Sequence, residues 1–306
     1  MKMSIKNGKQ IELIYRFMQV KGVGPVQVNR LLSSLMGEIN VSELEGNIIG
    51  ALNNSQRNEF YNNDYSLNHI LNKDNVGFLS ILSEDYPVDL KQYLSIRTPP
   101  VLSYIGNINL LKKKKVGIGG ARNVSDRGKS ITIDCVSQLA QRDVCIISGY
   151  ANGVDQIAHY NAISQGSSTI IILPEGINGF RVKKELESIW DWNKILVLSE
   201  FIPADKWSIG RAMMRNNTII GLSDVMIIVE AGETGGSFDA GLRSIKNGKY
   251  VFVPRYVTPP DSAIGNNLLI DKGAFPILMK KNTQRANLNR MFEILGKQNK
   301  YSLFSM

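Results

Sequence analysis

Six short segments that are apolar at nearly every position, 116–119, 144–148, 169–173, 195–199, 225–229 and 250–253, alternate with stretches long enough for helices. Apolar residues on both faces are what a strand inside a parallel sheet requires. Ahead of them lies a segment whose apolar residues recur at helical spacing. Together these observations predict an α/β protein: a Rossmann-like, doubly wound, mostly parallel sheet of about six strands, preceded by a small all-helical domain. The expected boundaries are 1–75 for the helical domain, 76–111 for a connector, 112–280 for the sheet domain and 281–306 for a basic tail.

In the helical domain, Ile11, Leu13, Ile14, Phe17 and Met18 mark one helix. Val20-Lys21-Gly22-Val23-Gly24-Pro25 then turns the chain into a second, carrying Val28, Leu31 and Leu32. This is a helix-hairpin-helix (SAM-like) pattern. Its glycines allow a tight turn whose amides can face a phosphate; a plain hairpin inside a small bundle is the equal alternative. Asparagines near Asn53 and Asn62 mark loops. In the connector, Pro87, Pro99 and Pro100 punctuate two short apolar runs, 78–82 and 101–105, that read as strands. The tail has one amphipathic stretch around Leu288, Met291, Phe292 and Leu295. There Lys281, Arg285, Arg290, Lys297 and Lys300 face only Glu293 in acid. It reads either as a basic arm on a nucleic acid or as a solvated end.

The 306 residues are 43% hydrophobic and 21% charged, as in ordinary soluble proteins. The apolar runs are too short to span a bilayer, and the polar, basic start resembles no signal peptide. The expectation is a cytoplasmic protein with no membrane partner. Cys135 and Cys145 make no disulfide framework and read as small buried hydrophobes. Two histidines, His69 and His159, cannot assemble a zinc site at usual spacing, so neither metal nor cofactor is expected. The net charge of +9 favours a polyanion such as nucleic acid.

Ligands of such sheets bind beyond the carboxyl ends of the strands, so the loops there are the candidate sites. After the first strand, Gly120 permits close approach and Arg122 offers a donor fork matched to phosphate. A dinucleotide fingerprint would need glycine where Arg122 stands, which sets a nicotinamide dehydrogenase aside. After the second strand, Ser148, Gly149, Asn152 and Gly153 form another close-approach turn, with Asp155 as a helix N-cap reaching His159. That pair reads as structural or as an acid–base couple; no G-x-S-x-G elbow supports a hydrolase. The third loop, 174–178, leads to Arg181, Lys183 and Lys184. The fourth leads to Phe201, Trp207, Arg211, Arg215, Asn216 and Asn217, with Phe201 and Trp207 each expected in the core. Cations with aromatics suit single-stranded nucleic acid. After the fifth strand, Gly235, Gly236 and Ser237 open a helix in another anion-friendly turn.

In order, the chain contains G-A-R-x-x-S-x-x-G, S-G-x-A-x-G-V-D-x-x-A-H, L-S-E-F, R-N-N-x-I-I-G-L-S-D, V-E-A-G-E-x-G-G-S and N-N-L-L-I-x-x-G-A, after D-Y-P-x-x-L, P-P-V-L and G-N in the connector. From about residue 10 to residue 278 it resembles the DNA-processing protein A (DprA/Smf) family. The resemblance implies a non-enzymatic protein that binds and protects single-stranded DNA, helps load a RecA-type recombinase in natural transformation, and dimerises through its Rossmann-like domain. It implies a basic DNA pocket containing Arg122, Lys183, Arg215 and Asn216. The sequence departs from the family pattern at Ala121-Arg122 for S-R, at Arg215-Asn216-Asn217 for R-N-R, at Arg181-Val182 for Y-P and at Pro254-Arg255 for P-G. The segment after the last motif is too short for the winged-helix domain of some relatives. Two alternatives stand beside this reading. One is a nucleotide-binding or phosphoribohydrolase-like pocket using Glu230 with residues 235–237, although the P-G-G-x-G-T-x-x-E motif is missing. The other is an interaction module of a defence or mobile-element system.

Overall fold

A computed structural model describes the chain except for residues 1–4, 36–38, 64, 68–70, 74, 281–284 and 302–306. His69 and Lys281 therefore lie outside the described residues, as does the Lys300 side chain. The chain forms two compact units. The first comprises Met1–Ile105, Leu173–Arg181 and Leu198–Ala212; the second comprises Gly106–Ile172, Val182–Val197 and Met213–Met306.

The first unit contains helices α1 (Ile5–Gln19), α2 (Pro25–Ser34), α3 (Val41–Ala51) and α4 (Asn54–Asn62), followed by strand β1 (Gly77–Ser80), helix α5 (Val88–Leu94) and strand β2 (Val101–Gly106). Asn40 caps α3 by accepting from Glu43 N at 2.8 Å. Asn53 and Gln56 cap α4 reciprocally, which satisfies amides the helix cannot. The apolar faces close around Ile14, Tyr15, Val28, Leu44, Ile48 and Phe60, all almost inaccessible to solvent. Asn29 on α2 donates to Ile96 O and Thr98 O at 2.9 and 2.7 Å, tying the bundle to the connector. β1 and β2 pair antiparallel, with Phe78 opposite Ser103.

The second unit holds β3 (Lys115–Gly119), α6 (Asp126–Ala140), β4 (Cys145–Ser148), α7 (Val154–Ser164), β5 (Thr169–Ile172), β7 (Val225–Ile228), α9 (Gly236–Lys246), β8 (Tyr250–Pro254), α10 (Gly265–Asp271), β9 (Phe275–Ile277) and α11 (Asn289–Tyr301). β6 (Ile195–Ser199) and α8 (Ile209–Leu222) straddle the division. The strand order is β6-β5-β4-β3-β7-β8-β9, and the pairs running from β5 through β9 are parallel. The order reverses between β3 and β7, the switch point of a doubly wound sheet.

The six apolar segments are β3 to β8 within a residue or two. β9 is an additional edge strand. Its three residues, Phe-Pro-Ile, show no alternation, and Pro276 is tolerated at an unpaired edge. Over its described residues the tail packs on the sheet unit and is neither an arm nor a solvated end there. Leu288, Met291 and Leu295 are buried in the sheet-unit core, Asp134 accepts from Ala286 N at 2.6 Å, and Lys114 Nζ donates to Leu295 O at 2.6 Å. Arg142 and Arg290 lie over the Phe292 and Phe275 rings, so part of the basic charge covers apolar surface. Cys135 and Cys145 are free and buried; burial pushes the Cys145 thiol up to about 12. No helix among the described residues is long and apolar enough to cross a membrane.

Candidate nucleic-acid interface

The carboxyl ends of β3, β4 and β7 place three loops side by side in the second unit. The β3 loop carries Arg122, which is exposed together with Asn123. Ser125 ends the loop as the N-cap of α6, accepting from Gly128 N at 3.0 Å. The β4 loop ends at Gly153, whose positive φ of 78° starts α7 without a side-chain cap. Gly153 packs against the Ala121 and Arg122 carbonyls, where a Cβ would stand 2.3–2.4 Å from their oxygens. Between α6 and α7 opens a cleft of about 470 Å³ lined by Arg122, Asn123, Lys129, Gly153, Gln156 and Tyr160.

Lys183 comes to the same helix. Its Nζ donates to Asn152 Oδ1 at 3.2 Å and Gln156 Oε1 at 3.5 Å, and lies 4.8 Å from the centre of the Tyr150 ring. Its amide donates to Tyr150 Oη at 2.9 Å. Burial lowers the Lys183 pKa, with Asp155 and Glu185 opposing the shift. Gln156 thus belongs both to the Arg122 cleft and to the Lys183 contacts. Arg122, Asn152, Gly153 and Lys183 form one continuous polar rim.

A second open helix start lies at α9. Gly235, at φ 100°, is its N-cap, with no side-chain cap and nothing within 4 Å of where a Cβ would be. Asn216 Nδ2 lies 3.9 Å from the corresponding point on Gly236, and Ser237 is half-buried in the first turn. Amides at such a start carry partial positive charge and lack intrahelical partners.

Other candidates lie beneath this rim. Gly120 packs on Val154, whose Cγ2 would be 2.7 Å from a Cβ. Ser148 is fully buried and donates to Ile118 O at 2.6 Å. Arg215 is 6% exposed and donates through Nη1 to Ile172 O at 2.9 Å. Gly149 makes room for it: a Cβ there would meet Arg215 Nη1 at 1.8 Å and Asp155 Oδ2 at 2.5 Å. Arg215 therefore supports the β4 loop from below, because its guanidinium is enclosed. Arg211 belongs to the first unit, paired with Asp205 at 2.9 Å and donating to Lys206 O at 2.7 Å.

The expected link between Asp155 and His159 is replaced by a different network. The N-cap is Gly153. Asp155 accepts from Ala151 N at 3.3 Å; burial raises its pKa against the pull of the Arg215 charge. His159 is fully buried, with Nε2 on Gly149 O and Nδ1 2.7 Å from Thr169 Oγ1. Nε2 donates to the Gly149 carbonyl, which can only accept, and burial lowers the ring's pKa to about 4. His159 holds the loop and is shielded from any substrate. Phe201 is buried as expected, whereas Trp207 is 49% exposed. Sequence reasoning missed Gln156, Tyr160 and Lys129. The signal for the first two was helical spacing after Gly153, with Gln156 and Tyr160 one turn apart on the same face.

At the switch point, Glu230 is wholly buried. Its carboxylate accepts from Ser125 N, Ser125 Oγ, Tyr256 Oη and Ser262 Oγ at 2.5–2.9 Å. The group suggested for a nucleotide pocket is thus engaged by the protein itself.

Residues 77–287 match the family model for DNA recombination-mediator protein A. The chain belongs to this family. It is 34% identical over 175 residues to the DNA processing protein DprA of Streptococcus pneumoniae, a match covering 56% of this chain and 61% of that protein. It is 31% identical over 203 residues to DprA of Bacillus subtilis, covering 65% and 67% respectively. The match thus spans less than two thirds of the pneumococcal relative. Among solved structures, pneumococcal DprA superposes with a TM-score of 0.74 at 27% identity, over 90% of this chain and 95% of that one. DNA processing protein A from Helicobacter pylori, whose single-stranded DNA binding mode is known structurally, gives a TM-score of 0.59 at 27% identity, over 74% and 96%.

Proposed function

We propose that this chain binds single-stranded DNA on the rim of its sheet unit, without catalysing a reaction. The observation that carries this reading is the meeting of Arg122 and Lys183 around Gln156, beside the uncapped start of α7. Guanidinium, ammonium and amide donors along one edge suit a chain of phosphates, and Tyr160, 44% exposed in the cleft, offers a face on which a base can stack. The single-stranded DNA bound by the Helicobacter pylori relative supports the choice of ligand. A charge-led grip predicts little sequence preference and affinity that falls steeply with salt.

On this reading the protein works in the cytoplasm, as a homodimer, protecting single strands and assisting a RecA-type recombinase to load. A gel shift with single-stranded and duplex oligonucleotides across a salt series tests the ligand. Preferential, salt-sensitive retention of the single strand is expected, and equal or absent retention would overturn the reading. Recombinase loading is tested by strand exchange on DNA already covered by single-strand-binding protein. Addition of this protein should shorten the lag, and an unchanged lag would remove the mediator role.

A further inference from the structure

In doubly wound folds the anionic part of a ligand sits at the switch point, on the first helix start. Here that place lies between β3 and β7, at the start of α6, and it is filled by a side chain. Glu230 lies two residues past the end of β7 and brings its carboxylate to Ser125, the N-cap of α6. Four donors from three segments converge on its two oxygens: the Ser125 amide and hydroxyl from the β3 loop, Tyr256 from the end of β8, and Ser262 before α10. The first turn of α6 is shaped to admit it, since a Cβ on Gly128 would stand 2.4 Å from Glu230 Oε1. A buried carboxylate so fully satisfied, at the positive end of a 15-residue helix, has the surroundings of a bound phosphate.

We propose that Glu230 is a resident anion. It occupies the phosphate position of the switch point, closes that position to nucleotides and pyrophosphate, and fixes the β3 loop so that Arg122 faces the rim. Glu230 is then a positioning residue, acting through Ser125, three residues from Arg122. The clasp also joins the β3, β7 and β8 loops into one edge. The part that concerns DNA rests on the rim reading above; the part that concerns the anion position does not.

The test uses the full chain with Glu230→Ala, Glu230→Gln and Arg122→Ala. Removing the carboxylate leaves buried donors without an acceptor, so the alanine variant should melt roughly 5 °C lower or more. Its single-stranded DNA affinity should fall by about fivefold, the loss expected when a loop must be ordered on binding. Sodium formate, compared with sodium chloride at equal ionic strength, should recover at least half of both losses and leave the wild-type protein unchanged. In an Arg122→Ala background, which removes the rim arginine, pyrophosphate should bind the Glu230→Ala protein and not its Glu230-containing parent, measured by calorimetry. The glutamine variant fills the space and should bind single strands more weakly with no formate recovery. If the alanine variant does not fold, wild-type affinity in the glutamine variant would overturn the proposal. So would a Glu230→Ala protein that melts and binds DNA as the wild type does, or one whose losses formate and chloride repair equally. Undiminished DNA binding by Arg122→Ala alone would instead sink the rim reading and leave the formate result standing.

Discussion

Two regions of this protein carry the same local sequence signal, a glycine turn running into a helix, and end with opposite uses of their amides. In the turn between α1 and α2, side chains at the surface take the donors: Lys21 N donates to Glu59 Oε2 at 3.1 Å and Gly24 N to Gln27 Oε1 at 3.1 Å, while Val23 N reaches Val20 O. At the rim of the sheet unit the loops are held from beneath, by the buried Arg215, His159 and Glu230 and the half-buried Asp155, and the starts of α7 and α9, like that of α2, have no side-chain cap. Where the satisfying groups come from decides whether a glycine turn can serve a ligand. Support from the core leaves the outer face of the loop available; support from the surface consumes it.

The comparison breaks most visibly if the buried support is removed. Arg215→Met should destabilise the sheet unit by about 3 kcal/mol, the upper scale for leaving desolvated polar groups, here the half-buried Asp155 carboxylate and the Ile172 carbonyl, without the guanidinium. Urea unfolding checks this, and a loss below about 1 kcal/mol would show that Arg215 is not a support. Acid provides a second probe. The His159 pKa is depressed in the folded protein, so protons favour the unfolded chain. Its contribution is complete above the ordinary histidine value, near 6.5, and is lost as the pH falls toward about 4. The scale of that loss is about 3 kcal/mol. Stability measured between pH 7 and pH 4 should fall more in the wild type than in His159→Gln.

On the outer face, effects should appear in binding and not in stability. Arg122→Ala should weaken single-stranded DNA binding about tenfold with little change in melting temperature, and should reduce the salt slope by about one contact. Lys183→Ala should cost less, about threefold, because its ammonium is already shared with Asn152 and Gln156. The smallest effect belongs to the hairpin: Glu59→Ala frees the Lys21 amide, yet DNA affinity should change by less than about twofold, since one exposed amide adds little. A larger gain would mean that the hairpin is a phosphate site held shut by Glu59.

The sheet was legible because burial on both faces writes itself as uninterrupted apolar runs, as in β5, where every residue is buried. β9 was not, because three residues around Pro276 at an edge leave no period to read. The rim was legible in its glycines and in Arg122, and obscured wherever residue type says nothing about depth. Arg215 and Trp207 reversed their ordinary places, the arginine enclosed against Gly149 and the tryptophan half exposed. The amphipathic tail showed its apolar stripe but not the surface that α11 covers, which is assembled from distant segments.

Taken alone, the order of residues determined the element types, the parallel sheet and the glycine turns at the strand ends, because periodicity and backbone freedom are local properties. Only the tertiary structure decided which polar groups face solvent and which are spent inside. Arg122 and Arg215, or Glu59 and Glu230, are chemically alike in the chain. They part company because hydrogen-bond partners and solvent access depend on neighbours tens to hundreds of residues away.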